Sequence, residues 1–291
     1  MILIDGKKTA QDIRAELKIE IDRLTSSGKS VPGLVAILVG DHPASEIYIK
    51  SKSKACNEIG MRTLTEKLAS DTLENDLLEL ISEYNFNKDF HGILVQLPLP
   101  KHINENKVIE AILPKKDVDG FHPISIGNLV IGKDAFRSCT PAGIQELLIR
   151  YNIDTKGKHV VILGRSNIVG KPIANILLQK KEHANSIVTV CHSAAPDVSY
   201  YTKQADILIA AIGSPEFVKA EMVKEGVVVL DVGINRVEDA TAKKGYRVLG
   251  DVDFAEVSHK ASYITPVPGG VGPMTIAMLL KNTFEAFTKY G

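Results

Sequence analysis

Short apolar runs bounded by turn residues recur along this chain, and helical stretches separate most of them. That alternation is the strongest restriction on its fold. Gly33 to Val39 is almost wholly apolar and reads as a strand buried on both faces. A helical stretch from about Ala44 to Ile59 follows and stops at Gly60. The pattern continues with a strand at Thr63 to Leu68, a helix around Leu73 to Tyr84 and a strand at Gly92 to Gln96. A second series begins at the strand His159 to Leu163, followed by a helix at Pro172 to Gln179 and strands at Ile187 to Cys191, Ile207 to Ala211 and Val227 to Val232. Strands joined through helices give parallel sheets with right-handed crossovers, so the fold class is α/β. Ahead of both series, Thr9 with Asp12 resembles a capping box, and Ile13, Leu17, Ile21 and Leu24 mark one helix face. The piece from Pro114 to Cys139 has little periodicity and reads as a loop-rich crossover.

A length of 291 residues accommodates two domains with real cores. The expected division is 1–139 plus 273–291 for one domain and 140–272 for the other, the final helix returning across an interdomain cleft. Lys+Arg and Asp+Glu balance at 35 each, so no whole-chain basic field points to nucleic acid. The apolar runs are strand-sized, which argues against a membrane span. The N-terminal charges follow a very short apolar run, the wrong order for a secretory signal. Cys56, Cys139 and Cys191 stand far apart with no CxxC pair, so the expected compartment is the reducing cytoplasm. No metal site is expected from the histidines, none of which shows a ligand-like HxxxH spacing.

Thr265-Pro-Val-Pro-Gly-Gly-Val-Gly-Pro-Met-Thr275 packs three prolines and three glycines into eleven residues. Proline lacks a donor and glycine lacks restraint, so the segment reads as a rigid loop. A helix with Ile276, Leu280, Phe284 and Phe287 on one face follows. A stiff interdomain connector would have this composition too, but a glycine loop ahead of a helix also lets backbone N–H groups approach a ligand.

Val160 to Pro172 reads as strand, turn and helix start, with Gly164 at the bend and Gly170 where helix and strand pack closely. A Walker A loop is excluded: five residues, not four, separate Gly164 from Gly170-Lys171, and Pro172 stands where Ser or Thr would bind magnesium. The middle glycine of the usual dinucleotide fingerprint is absent, and a purely structural turn is the alternative. NAD sites usually place a carboxylate at the end of the next strand, where this chain has His192 and Ser193. Neutral donors there, with Arg165 in the turn to grip a phosphate, argue for NADP over NAD. A surface histidine is the alternative for His192.

Tyr48 and Lys52 share a helix face, Gln96 ends a strand where open parallel sheets bind ligands, and Asp117 and Asp119 precede a glycine turn. Taken in order, Tyr48-x-x-x-Lys52, Val95-Gln-Leu-Pro-Leu-Pro100, Lys116-Asp-Val-Asp-Gly-Phe121, Cys139-Thr-Pro141, Gly164-Arg-Ser-x-x-Val-Gly170, Asp231-Val-Gly-Ile-Asn-Arg236 and the Pro/Gly loop resemble the bifunctional methylenetetrahydrofolate dehydrogenase/methenyltetrahydrofolate cyclohydrolase family. The resemblance runs from about Gly33 to the last helix.

That resemblance implies a folate substrate, a Rossmann-like NADP-binding second domain, homodimers and an active site in the interdomain cleft. It makes Lys52 the catalytic lysine, with Tyr48 beside it over the pterin, Gln96 bonded to Lys52, and Asp119 anchoring the pterin. Gly164, Arg165, Ser166, Ser193 and Ile234 would hold NADP, with His192 a further cofactor contact. Pro268, Gly269, Gly270 and Pro273 would close over the folate and nicotinamide. Two features depart from the family: Ser125 stands where it usually has Asn after Phe-His-Pro, and Lys50 makes the Tyr48 helix unusually basic. The readings that compete are a monofunctional dehydrogenase of the same folate, a shikimate- or amino-acid-type dehydrogenase, and a non-catalytic folate- or nucleotide-binding protein.

Overall fold

A computed structural model describes residues 1–242 and 245–291. The chain divides into two compact units, Gln11–Cys139 with Ile276–Gly291, and Met1–Ala10 with Thr140–Thr275. It opens with β1 (Ile2–Leu3) and α1 (Gly6–Ser26). Asp5, not Thr9, caps that helix: its Oδ1 accepts the Lys8 N–H at 2.8 Å. Thr9 already lies in the first turn, and its hydroxyl donates back to the Asp5 carbonyl. The expected start is therefore too late, because a cap three residues before Lys8 draws Gly6 to Lys8 into the helix.

In the first unit β2 (Gly33–Val39) is central, flanked by β3 (Arg62–Leu68) and β4 (Gly92–Val95) in an all-parallel sheet. All seven residues of β2 are buried. The crossovers α2 (Pro43–Glu58) and α3 (Glu74–Phe86) bring apolar faces to the sheet; Leu77 and Ile81 of α3 pack with Val35, Ile37 and Ile93. Full burial of such side chains stabilises by about 1.5–3 kcal/mol each.

The stretch expected as a loop between Pro114 and Cys139 contains a short 3-10 turn at Pro114–Lys116 and a helix, α5 (Pro123–Val130), after α4 (Glu105–Ala111). Polar contacts, not apolar periodicity, hold it. The buried Lys116 Nζ donates to the carbonyls of Tyr84 and Asn87, both at 2.6 Å, and burial pulls its pKa down to about 8. Buried Asp117 accepts from Phe121 N, His122 N and Ser125 Oγ. Burial still lifts its carboxyl to about 6 against those three bonds. Ser125, the departure from the family pattern, is thus a donor to a buried carboxylate.

Entering the second unit is α6 (Cys139–Arg150), in a stretch to which the sequence pattern assigns no element. Its sheet is six-stranded and wholly parallel in the order β1–β11–β8–β7–β5–β6. The strands after β1 are β5 (His159–Leu163), β6 (Ile187–Cys191), β7 (Ile207–Ala210), β8 (Val228–Asp231) and β11 (Tyr263–Ile264). Helices α7 (Gly170–Leu178), α8 (Val198–Thr202) and α9 (Phe254–Val257) lie among them, with an antiparallel hairpin of β9 (Asn235–Glu238) and β10 (Tyr246–Leu249) that the apolar pattern does not announce. The last helix, α10 (Val271–Tyr290), starts inside the Pro/Gly segment, four residues before its expected end as a loop.

Two boundaries differ from the expected division. Residues 1–10 join the second unit because β1 pairs with β11 and the Lys7 N–H bonds the Gly269 carbonyl at 2.8 Å. Residues 273–275 stay with that unit too. Neither pairing leaves a periodic signal in so short a strand.

His91 immediately precedes β4, where its buried Nδ1 accepts the Gly33 N–H at 3.1 Å and its ring meets Phe287 edge-on. Burial, then the charge of Lys116, holds its pKa below the usual value, with Arg62 in the same sense and Asp89 opposing. The folded state therefore binds fewer protons at His91 than the unfolded chain. Its contribution is present above the unfolded value of about 6.5 and is lost as pH falls through the folded one. Asp117 and Asp231, both raised to about 6, act in the opposite sense over the same range. The comparison to make is with His91→Asn, whose Oδ1 can still accept the Gly33 N–H but does not titrate. The Tm of that variant should gain on the parent between pH 7 and pH 5; a constant difference would refute the role of His91.

Candidate active site

Pro43 in the first turn starts α2, and two turns later the helix carries Tyr48 and Lys52 on one face. Tyr48 is half exposed, whereas Lys52 is buried, with only 8 % of its surface exposed. A buried ammonium needs a partner, and the Lys52 Nζ donates to Gln96 Oε1 at 3.1 Å. Gln96 follows the last residue of β4. Its N–H continues the ladder to the Ile37 carbonyl, and its amide donates to the Leu97 carbonyl at 2.8 Å, which fixes the orientation of Oε1 toward the lysine. Asp119 is close enough for the Lys52 charge to act on its carboxyl, yet burial dominates and raises the Asp119 pKa. Tyr48, Lys52, Gln96 and Asp119 thus belong to one unit, and the last three interact.

Two residues that the sequence reading leaves without a role hold Asp119 in place. The Cys139 thiol lies 3.6 Å from Asp119 Oδ1 and 3.4 Å from the Val118 carbonyl. Burial first, and the Asp119 charge second, keeps that thiol protonated, so it can act as a donor. Asn282 of α10 donates to the carbonyls of Val118 at 2.8 Å and Arg137 at 3.1 Å. Cys139 appears in the Cys-Thr-Pro motif, but a lone cysteine has no sequence signature for a contact twenty residues back. Asn282 is the polar interruption of an apolar helix face, and that was its one available signal.

The candidates for dinucleotide binding lie in the other unit. Gly164 follows β5 with φ +110°, and a Cβ there would stand 2.1 Å from the Ala211 carbonyl oxygen, so the bend admits no side chain. Arg165 and Ser166 follow and are exposed. Ser166 Oγ accepts the N–H groups of Val169 and Gly170 at 3.1 and 3.3 Å, capping α7. With both lone pairs so used, its remaining capacity is the O–H donor, which suits an anion. At the end of β6, His192 Nδ1 accepts the Ala194 N–H while Ser193 is exposed. Ile234 projects from the loop after β8 with 54 % of its surface open. The glycine bend, the free hydroxyl proton, the exposed guanidinium and the absence of a carboxylate after β6 fit a dinucleotide with an extra phosphate.

Pro268, Gly269, Gly270 and Pro273 also lie in this unit. The turn is closed by the Gly270 N–H on the Pro266 carbonyl at 2.8 Å and tied to the chain start through Lys7. Gly6 has no room for a Cβ, which would meet the Gly270 carbonyl oxygen at 1.8 Å. Among the described residues no group of three or more His, Cys, Asp or Glu is placed to hold a metal ion.

Residues 4–119 match the catalytic domain of tetrahydrofolate dehydrogenase/cyclohydrolase and residues 138–290 match its NAD(P)-binding domain. The bifunctional protein FolD of Chloroherpeton thalassium is 57% identical over 292 residues, covering 100% of this chain and 99% of that protein. The crystal structure of the bifunctional FolD enzyme from Campylobacter jejuni is 51% identical with a TM-score of 0.93, covering 99% of both chains. The Trypanosoma brucei dehydrogenase-cyclohydrolase, solved with NADP cofactor and inhibitor, is 37% identical with a TM-score of 0.93 over 99% of this chain and 98% of that one. With both domains matched end to end, this chain belongs to the tetrahydrofolate dehydrogenase/cyclohydrolase family.

Proposed function

We propose that the protein oxidises 5,10-methylenetetrahydrofolate to the 5,10-methenyl form with NADP and then hydrolyses that product to 10-formyltetrahydrofolate. The observation that carries the reading is the buried Lys52 Nζ held on Gln96 Oε1 beside the Asp119 carboxyl. A lysine buried in that way suits hydrolysis more than hydride transfer.

Loss of hydride from the methylene bridge leaves a cation shared by two nitrogens of the folate itself, so this step needs orientation more than acid or base. NADP, when bound, supplies the hydride acceptor. Gly164 gives the backbone close approach, Ser166 and Arg165 hold phosphate, and Ser193, His192 and Ile234 line the remainder. Pro268, Gly269, Gly270 and Pro273 form a rigid segment of the NADP-holding unit that offers backbone groups to bound ligand.

Hydrolysis requires water to add to the amidinium carbon, a proton to pass from that oxygen to one bridge nitrogen, and the bond from carbon to that nitrogen to break, leaving the formyl group on the other nitrogen and releasing one proton. Lys52 Nζ is the group that moves them. One of its hydrogen-bonding directions is taken by Gln96, and the others are left for water and folate. Asp119 receives the pterin amino and amide N–H groups, which offset the burial of its carboxyl. Tyr48, with its ring half exposed one turn from Lys52, covers the pterin face.

A second copy of the chain suits β6. It is the terminal strand of its sheet and exposes Ile187 and Val190, while α7 and α8 beside it add Leu178 and Tyr200. An open apolar edge of this kind is usually covered by pairing. Among the described residues no helix is long and apolar enough to cross a membrane.

Four measurements test this reading. Optical assays with methylenetetrahydrofolate should show NADP⁺ reduction and only transient methenyl product. In Lys52→Met, hydrolysis should fall by about a hundredfold or more, so that methenyl product accumulates; undiminished hydrolysis would remove Lys52 from the mechanism. Arg165→Ala should shift the NADP-to-NAD preference by about ten- to a hundredfold toward NAD, the loss of one charged hydrogen-bonding partner, and an unchanged ratio would exclude Arg165 from the phosphate site. By light scattering the protein should have twice the 31.7 kDa chain mass and Val190→Lys should halve it; a monomeric parent would refute the β6 edge.

A further inference from the structure

We infer that Asp251 is a positioning residue for the dehydrogenase step, holding the two backbone walls that receive the nicotinamide half of the cofactor. The inference rests on the reading of this chain as an NADP-dependent dehydrogenase.

Asp251 has no exposed surface and stands in the loop between β10 and α9. Its carboxylate accepts four hydrogen bonds. Oδ2 takes the N–H groups of Ile212 at 2.7 Å and Gly213 at 3.0 Å, and Oδ1 takes those of Ser214 and of the Asn235 side chain, both at 2.9 Å. Three successive backbone N–H groups converging on one point form a nest that would otherwise receive an external anion. Here the chain fills it with its own carboxylate. Both oxygens are saturated, so Asp251 is not available to touch a ligand, and its effect passes through the segments it holds.

Those segments are the walls of the candidate site. The 212–214 turn leaves the carboxyl end of β7, directly after Ala211, whose carbonyl leaves no space for a Cβ at Gly164. Asn235 adjoins Ile234 in the loop after β8. In open parallel sheets the ligand lies outside the carboxyl ends of the strands, and a dinucleotide straddles the point where strand order reverses. That point is β5, with β6 on one side and β7 then β8 on the other. The chain's substitutes for the ribose carboxylate, His192 and Ser193, follow β6, so the adenosine half belongs there and the nicotinamide half over β7 and β8. Asp251 joins the loops of those two strands to each other.

A second carboxylate sets Asp251 itself. Asp231 Oδ1 accepts the Asp251 N–H and the Gly233 N–H, both at 2.9 Å, and Oδ2 accepts the Val252 N–H at 3.0 Å. The fit leaves no slack: a Cβ on Gly250 would stand 1.8 Å from Asp231 Oδ2. An amide at 251 would turn an NH₂ toward groups that are all donors, so Asp251→Asn must lose contacts on one wall or the other.

The test separates the two reactions, since hydrolysis of supplied methenyltetrahydrofolate consumes no NADP. In Asp251→Asn the kcat/KM for NADP⁺ should fall by about a hundredfold, the usual effect of misplacing a reactant from a distance. In Asn235→Ala, which empties one of four bonds, it should fall by about tenfold. In both variants hydrolysis and the folate KM should stay within about twofold of the parent, a split that a general loss of stability does not produce. Equal losses in the two reactions, or an unchanged kcat/KM for NADP⁺, would overturn the proposal. Should Asp251→Asn fail to fold, Asn235→Ala decides alone. A parent protein that hydrolyses but reduces no NADP⁺, and binds no NADPH by fluorescence, would refute the dehydrogenase reading and the proposal with it.

Discussion

Two buried aspartates of the second unit, Asp231 and Asp251, are the constraint on which its functional end depends. Between them they accept seven hydrogen bonds, six from backbone N–H groups. Buried carboxylates are expensive unless donors surround them, and the least costly donors are the amides of loops that must turn sharply. The carboxylates thus select the loop conformations and the loops neutralise the carboxylates. Asp231 remains strained in the electrostatic sense, pushed up to about 6 by burial with its neighbour adding to the rise. Its own N–H is taken by Thr265 Oγ1 at 2.7 Å, which places the start of the Pro/Gly segment on the same framework.

The first unit solves a similar problem with opposite charges. Lys116 gathers the carbonyls at the end of α3, and Asp117 gathers the N–H groups that begin α5, so two adjacent residues end one helix and start another. Asp119, two residues on, inherits its position from them and from Asn282 and Cys139. The amine of Lys52 is fixed from the other direction, through the Gln96 amide after the end of β4. A lysine on a surface helix is ordinarily mobile; burial and one directed bond remove most of that freedom from Lys52.

Much of this was legible in the chain before any coordinates. Strand positions are readable because a buried parallel strand such as Gly33–Val39 is apolar at every position. Gly164 was readable because a strand followed by glycine and a helix start has few other uses. Lys52 and Gln96 were readable through family motifs, and their contact follows from adjacent elements in one small sheet. What escaped notice is held by polar, long-range bonds: α5, organised by Asp117, the β9–β10 hairpin, and the first ten residues, which pair with a strand more than 250 positions away. The helix cap at Asp5 was missed for a local reason, since Thr9 and Asp12 imitate the same signal one turn later.

The sequence alone determined the α/β class, the two-unit organisation, the family and the residue types at the candidate positions. Each of these depends on composition, periodicity or motif, which are properties of neighbours along the chain. Only the tertiary structure decided that Asp231 and Asp251 face inward and share their donors, that Cys139 is a protonated donor to Asp119, and that Ser166 spends both lone pairs on a helix cap. Those facts depend on which groups meet after burial, when a polar atom must find whatever partner the fold brings within reach. A linear pattern does not encode that choice, because the partners lie in other elements and the energy that selects them appears only once water is excluded.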